Sequence, residues 1–237
     1  MSKTNLRTPR TFGQRTNSTI ELSPKKKYFI VGEGNKTEVD YFNGVFNHRK
    51  ELDIDELIDI IVVERDEDSI SHSHPKHLLN SALTKFKKVA VPEGYETIEY
   101  DNDIDEIWLL FDRDPCNFSK EQFDEIYNTC NQNNINIGFT NPTFEFWLLL
   151  HCTDVSKYDQ NTLLENRKIN NKRRFLEREL STILDGYKKR NIRFERFKDK
   201  IDYAILQEKN YAQEFPQMFD SLGSNIGTLL EKMKSDI

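Results

Sequence analysis

Apolar residues follow two rhythms along this chain. KYFIVGE (27 to 33), LIDIIVVER (57 to 65), EIWLLFDRD (106 to 114) and NINIGFTNP (134 to 142) are short apolar runs closed by glycine, charge or proline, and each predicts a strand. Between and after them apolar positions recur at helical spacing: Val39, Phe42, Val45 and Phe46, then Leu78, Leu79, Ala82, Leu83 and Phe86 behind Pro75, then Phe123, Ile126 and Tyr127. Asn35 or Thr37 is expected to cap the first helix and Ser119 the third. TFEFWLLLH (143 to 151) predicts a short helix after Pro142, with Phe144, Phe146 and Trp147 in the core; Asn141 is placed to cap it.

Strand and helix thus alternate four times, the pattern of a mainly parallel four-stranded sheet flanked by helices. The unbroken apolarity of Ile107 to Phe111 requires cover on both faces of the sheet. Three parts are expected: a flexible basic arm over residues 1–24, an α/β domain over 25–155, and a mostly helical C-terminal subdomain over 156–237 packed on it. LENRKINNKRRFLERELSTILDGYKK and IDYAILQEKNYAQ supply the helical segments of that last part.

Charge sharpens this division. The net charge of -6 conceals segregation: residues 28 to 156 hold 10 basic against 26 acidic side chains, whereas residues 157 to 200 hold 14 basic against 7 acidic. An acidic body between basic flanks suits a centre that holds metal and margins that grip a polyanion; lysines and arginines at helical spacing can equally be a solvated face. No apolar run approaches the roughly 20 residues that span a bilayer, so no membrane partner and a cytoplasmic location are expected. Cys116, Cys130 and Cys152 fit neither a zinc ribbon nor a disulfide framework and are expected to be reduced. His72, His74 and His77 lack a fourth ligand at useful spacing, so no zinc site is expected there.

In parallel sheets ligands sit at the carboxyl ends of the strands. Glu33 ends the first strand, Asp112 and Asp114 end the third, and Glu145 follows the fourth. Carboxylates gathered at one edge repel one another and recruit a cation, and magnesium, which keeps waters and phosphates among its ligands, suits such a set. The glycines around Glu33 are not a phosphate loop, because GxxxxGK[ST] is absent, nor a dinucleotide fingerprint, because Thr37 stands where a third glycine is needed.

VGEGNKTE, FDRD and NPTFEFWLLLH, in this order, resemble the RloB-type members of the Toprim group of topoisomerase, primase and nuclease domains, and GYKKRN, IDYAILQEKNYAQ and PQMF...GSNIGTLLEKM extend the resemblance to roughly residues 26 to 234. The resemblance implies a Toprim-like fold, Glu33 as general acid or base and metal ligand, Asp112 and Asp114 as the magnesium-binding DxD, and Glu145 as an accessory acid. Lys36, Arg113, Asn141, His151, Lys188 and Lys189 are the candidate substrate contacts. Thr140 stands where the family often has serine, which keeps the hydroxyl. The expected activity is a magnesium-dependent phosphodiesterase, with manganese as a substitute, acting on DNA or RNA in phage defence, restriction-associated immunity or abortive infection. Nucleic acid is the expected partner, with a further defence-system protein as a second candidate. Two alternatives are a non-catalytic module that uses metal to bind nucleic acid or nucleotide, as a sensor or subunit, and a structural partner of restriction enzymes with an idle site.

Overall fold

Period-two alternation sends neighbouring side chains of each central strand to opposite faces, and both faces are apolar. The computed structural model describes residues 25–32, 36–63, 100–113, 119–171, 173–189 and 191–236. Strand β1 (Lys26–Gly32) places Tyr28 and Ile30 in one core and Phe29 and Val31 in the other. It pairs in parallel with β2 (Ile58–Val63) on one side and β3 (Glu106–Asp112) on the other, and β3 pairs in parallel with β4 (Ile135–Asn141). A two-residue strand β5 (Gly223–Ser224) adds antiparallel to β4, giving the order β2-β1-β3-β4-β5. Among the described residues the sheet therefore has five strands rather than the expected four. Its fifth is too short to leave an apolar signature and exists only because β4 offers an open edge.

Helices cover both faces. Helix α1 (Thr37–Asn47) connects β1 to β2 and packs Tyr41, Phe42 and Val45 into the first core. Helix α2 (Lys120–Gln132) lies on the other face through Phe123, Ile126 and Cys130; the expected cap by Ser119 is present as a reciprocal capping box with Gln122. Helix α3 (Phe144–Cys152) is apolar on every side and buried, with Phe144, Phe146 and Trp147 in the core as the sequence predicts. Such a helix has to be enclosed, and α4 (Gln160–Glu165), α5 (Phe175–Ile183) and α6 (Ile201–Glu208) with the C-terminal α8 (Ile226–Ser235) enclose it. The short α7 (Phe215–Met218) closes the opposite face, where the Phe215 ring stacks on Phe123 at 3.9 Å between centroids. One apolar cluster runs from Tyr28 in β1 to Met233 in α8, so the C-terminal helices share the core of the sheet.

Two readings of helix boundaries are corrected. Lys36, not Asn35 or Thr37, is the N-cap residue of α1 and caps with no side-chain bond, whereas Thr37 is spent on a distant carbonyl. The basic run after residue 165 is not helical. Asn166 adopts a left-handed backbone, φ 41°, and ends α4, and Lys168 then pairs antiparallel with Arg174 in a hairpin-like reversal before α5 starts. Among the described residues no helix is long and apolar enough to cross a membrane. Cys130 and Cys152 are free thiols pushed up to about 12 and about 11 by burial. The arm, the helix expected behind Pro75, the histidines His72, His74 and His77, and Cys116 lie outside the described residues.

Candidate functional site

In this strand order the chain leaves β1 toward β2 on one side and returns to β3 on the other, so the crevice between the carboxyl ends of β1 and β3 is the topological switch point. Asp112 stands there as the last residue of β3. Trp108 and Leu110 belong to the core beneath α1 and α3, so parity turns Asp112 toward the same side. Register then supplies its first partner: Thr140 is the residue opposite on β4, and its hydroxyl donates to Asp112 Oδ1.

Three more elements bring charge to this carboxylate. Glu38, in the first turn of α1, and Glu145, in the first turn of α3, are both buried, each at the helix end where the backbone dipole favours an acid. Lys189 reaches in from the surface, its side chain 52% exposed, and sets Nζ 3.3 Å from Glu145 Oε1. Tyr187 donates to the same oxygen over 3.2 Å. The segment carrying both is fastened to α1, because Thr37 Oγ1 donates to the Lys189 carbonyl at 2.5 Å.

The electrostatics follow from this crowding. Burial first, then the Glu38 and Glu145 charges, push Asp112 up to about 8 against the opposing pull of Lys189 and the Thr140 hydrogen bond. The same carboxylates more than offset burial at Lys189 and raise it, so it remains an ammonium. Burial and then Glu145 raise Tyr187, which remains a phenol and a donor. One ammonium among three acids leaves negative charge that a divalent cation would offset, and carboxylate oxygens are the donors magnesium takes. Among the described residues no three acids, histidines or cysteines are grouped closely enough to hold a metal ion, so Asp112 would need further ligands. Glu33 and Asp114, the two expected from the sequence, lie outside the described residues.

A model of one family, described as RloB-like protein, matches residues 28–233. The chain belongs to the RloB-like family. No curated protein and no solved structure matches it significantly. The match spans Asp112, Glu145 and Lys189 and reaches into α8, so the site and the helices that enclose α3 lie inside the RloB-like region.

The other residues picked from the sequence are placed differently. Asn141 is 3% exposed and donates to the Met218 and Phe219 carbonyls at 2.6 and 3.2 Å, tying β4 to the C-terminal segment instead of facing a substrate or capping α3. Arg113 turns from Asp112: its Nε donates to the Phe219 carbonyl at 3.0 Å and its guanidinium lies 3.8 Å from the Phe219 ring. Lys36 and Lys188 are exposed, Lys36 at the start of α1 and Lys188 between Tyr187 and Lys189. His151 is a core residue. It is 1% exposed; Nδ1 lies 2.9 Å from the Trp147 carbonyl and Nε2 3.1 Å from the Tyr41 hydroxyl, so neither nitrogen can reach a ligand.

Burial lowers His151 to about 3, well below its unfolded value, so the folded protein keeps it neutral where the unfolded chain binds a proton. Its contribution to stability is therefore present above the unfolded value of about 6.5 and is lost as pH falls toward the folded one. Between about pH 7.5 and about pH 5 this amounts to about 2 kcal/mol. Urea unfolding of the wild type and His151→Gln at both pH values should show the difference in slope, and parallel pH dependences would remove His151 as its source.

Sequence reasoning missed Glu38, Thr37 and Glu177. Glu38 sits inside VGEGNKTE, and its place in the first turn of a helix behind the first strand was a readable signal. Glu177, in the first turn of α5, is raised by burial and by Glu145, while Lys189 and Arg173 act the other way; nothing local in the sequence marks it.

Proposed function

We propose that this RloB-like chain is a Toprim-type, metal-dependent phosphodiesterase that cuts DNA or RNA in defence against phage. One observation supports the reading above all: Asp112 ends the strand at the switch point with Glu38, Glu145 and Lys189 about it, an acidic centre with one cation reaching in from solvent. Asp112, with Glu33 and Asp114, would hold magnesium or manganese, which when bound supplies charge neutralisation at a scissile phosphate and a more acidic water. Lys189 offers its ammonium to a phosphate oxygen, and Glu145 with Tyr187 holds that ammonium in place. Thr140 fixes the orientation of the Asp112 carboxylate. Glu33 is the group proposed to take or give the proton.

A second reading, a module that binds nucleic acid or nucleotide without turnover, is supported by the half-exposed Lys189 ammonium beside Glu145, which could grip a phosphate without any chemistry. Turnover separates the two. Purified protein incubated with single-stranded DNA, duplex DNA, transfer RNA and long RNA should cut at least one of them in magnesium or manganese and none in EDTA. Binding without cutting, under every metal condition, would leave the second reading and end the first.

A further inference from the structure

We propose that the hairpin closed by the Lys168–Arg174 bridge is a nucleic-acid docking element, with Lys168 and Arg173 on phosphates and Ile169 against a base or sugar face. RKINNKRR carries five basic side chains and no acid; its Lys172 lies outside the described residues. The fold nonetheless builds this polar stretch deliberately at its base. Asn166 is 2% exposed, and its side-chain oxygen accepts the Leu176 amide at 3.0 Å, locking the hairpin exit to the first turn of α5. Phe175 N donates to the Arg167 carbonyl at 3.0 Å and Ile169 N to the Arg173 carbonyl at 2.9 Å, while Lys168 and Arg174 form the bridge between the two strands. The Asn170 side chain accepts the Arg173 amide at 2.9 Å and shapes the turn.

A rigid base thus presents an exposed tip. Lys168 is exposed, Arg173 is exposed with one guanidinium nitrogen donating to Ser181 Oγ of α5 at 3.1 Å, and Ile169 is 44% exposed. An apolar branched side chain held at the end of a cationic hairpin matches the wedge that proteins set between or against bases while lysine and arginine neutralise the backbone. Position supports the same occupant. Arg174 is the N-cap residue of α5, and α5 packs against α3, the helix whose first turn carries Glu145. The hairpin thus leads into a helix packed on the one that bears Glu145, and a polyanion held by it would extend toward Lys189 beside that acid.

The choice of nucleic acid as the polyanion rests on the proposed function, so binding is measured apart from cutting. Fluorescence anisotropy in EDTA follows labelled single-stranded DNA, duplex DNA and RNA of one sequence across a potassium chloride series. Lys168→Gln with Arg173→Gln should lower the slope of log K against log salt by about 2 on duplex, since each phosphate contact contributes about 0.9. Ile169→Ala should weaken binding by roughly tenfold and leave the slope unchanged. All three side chains are exposed, so melting temperatures should stay at the wild-type value and report that the fold is intact. An unchanged slope and affinity in these variants, or a wild type that binds none of the three probes, overturns the docking element. A wild type that binds through the hairpin yet never cuts overturns the nuclease and leaves the hairpin standing.

Discussion

Asp112→Asn is expected to abolish metal-dependent cleavage, by about a hundredfold to a thousandfold, while making the metal-free protein harder to unfold at alkaline pH. The loss follows from removing the carboxylate that ends β3 at the switch point and interacts with Glu38, Glu145 and Lys189. The gain follows from the same crowding. Asp112 is raised to about 8, far above its unfolded value, so the fold favours the proton-bound form. Stability linked to this group is complete below the unfolded value of about 4 and drains away as pH rises through about 8. Asparagine carries no charge at any pH and still accepts from Thr140, so in EDTA above about pH 8 the variant should be more stable by a few kcal/mol. Thermal melting at about pH 6 and about pH 9, with and without magnesium, checks both halves. Magnesium should raise the wild-type melting temperature and leave that of the variant unmoved. A variant that still cuts, or that melts with the wild type at alkaline pH, would show that Asp112 is neither the metal ligand nor the strained charge. Such opposition between activity and stability is what a site built from mutually repelling acids should display.

Gly227→Ala is expected to cost about 2 to 4 kcal/mol of stability, a large loss for one methyl group. Glu208 is fully buried, at 0% exposure, and lies across the start of α8, where its Oε1 accepts the Gly227 amide at 3.0 Å. Gln213 donates to its other oxygen at 3.3 Å. The bond from Gly227 satisfies an amide of a helix N-terminus that has no side-chain cap of its own from Asn225. A Cβ at residue 227 would stand 2.4 Å from Glu208 Oε2, so the buried carboxylate would have to shift and give up its present hydrogen-bond geometry. Burial raises Glu208 to about 7 even with its present bonds, so its displacement should cost most above that pH. The destabilisation of Gly227→Ala should therefore grow between about pH 6 and about pH 8. A midpoint of urea unfolding that matches the wild type at both would show that the carboxylate moves aside without penalty.

Both residues also show where local pattern is sufficient and where it fails. Period-two apolar runs placed the four parallel strands within a residue or two of their observed ends, because burial on both faces of a strand writes itself directly into the sequence. Capping by Ser119 and the core burial of Phe144, Phe146 and Trp147 were legible for the same reason: each depends on neighbours within one turn or on bulk hydrophobicity. Strand ends in a parallel sheet are also where polar chemistry collects, which is why Asp112 and Glu145 could be singled out before any partner was known. His151 and Asn141 misled because they sit in the same segment as Glu145, and only packing reveals that one ring and one amide are turned into the protein.

The sequence by itself therefore determined the four parallel strands with the helices that follow the first, third and fourth, the sandwiching of the sheet and the acid at the end of its third strand, since local apolar pattern carries all three. Tertiary structure alone decided the rest: the register that faces Thr140 to Asp112, the pairing of Lys189 and Tyr187 with Glu145, the fifth strand, and the hairpin where the basic run read as helix. Each of these depends on a backbone reversal or a partner far along the chain. Neighbouring residues encode the conformation each segment favours, but the free energy that chooses a distant partner is released only when the segments meet.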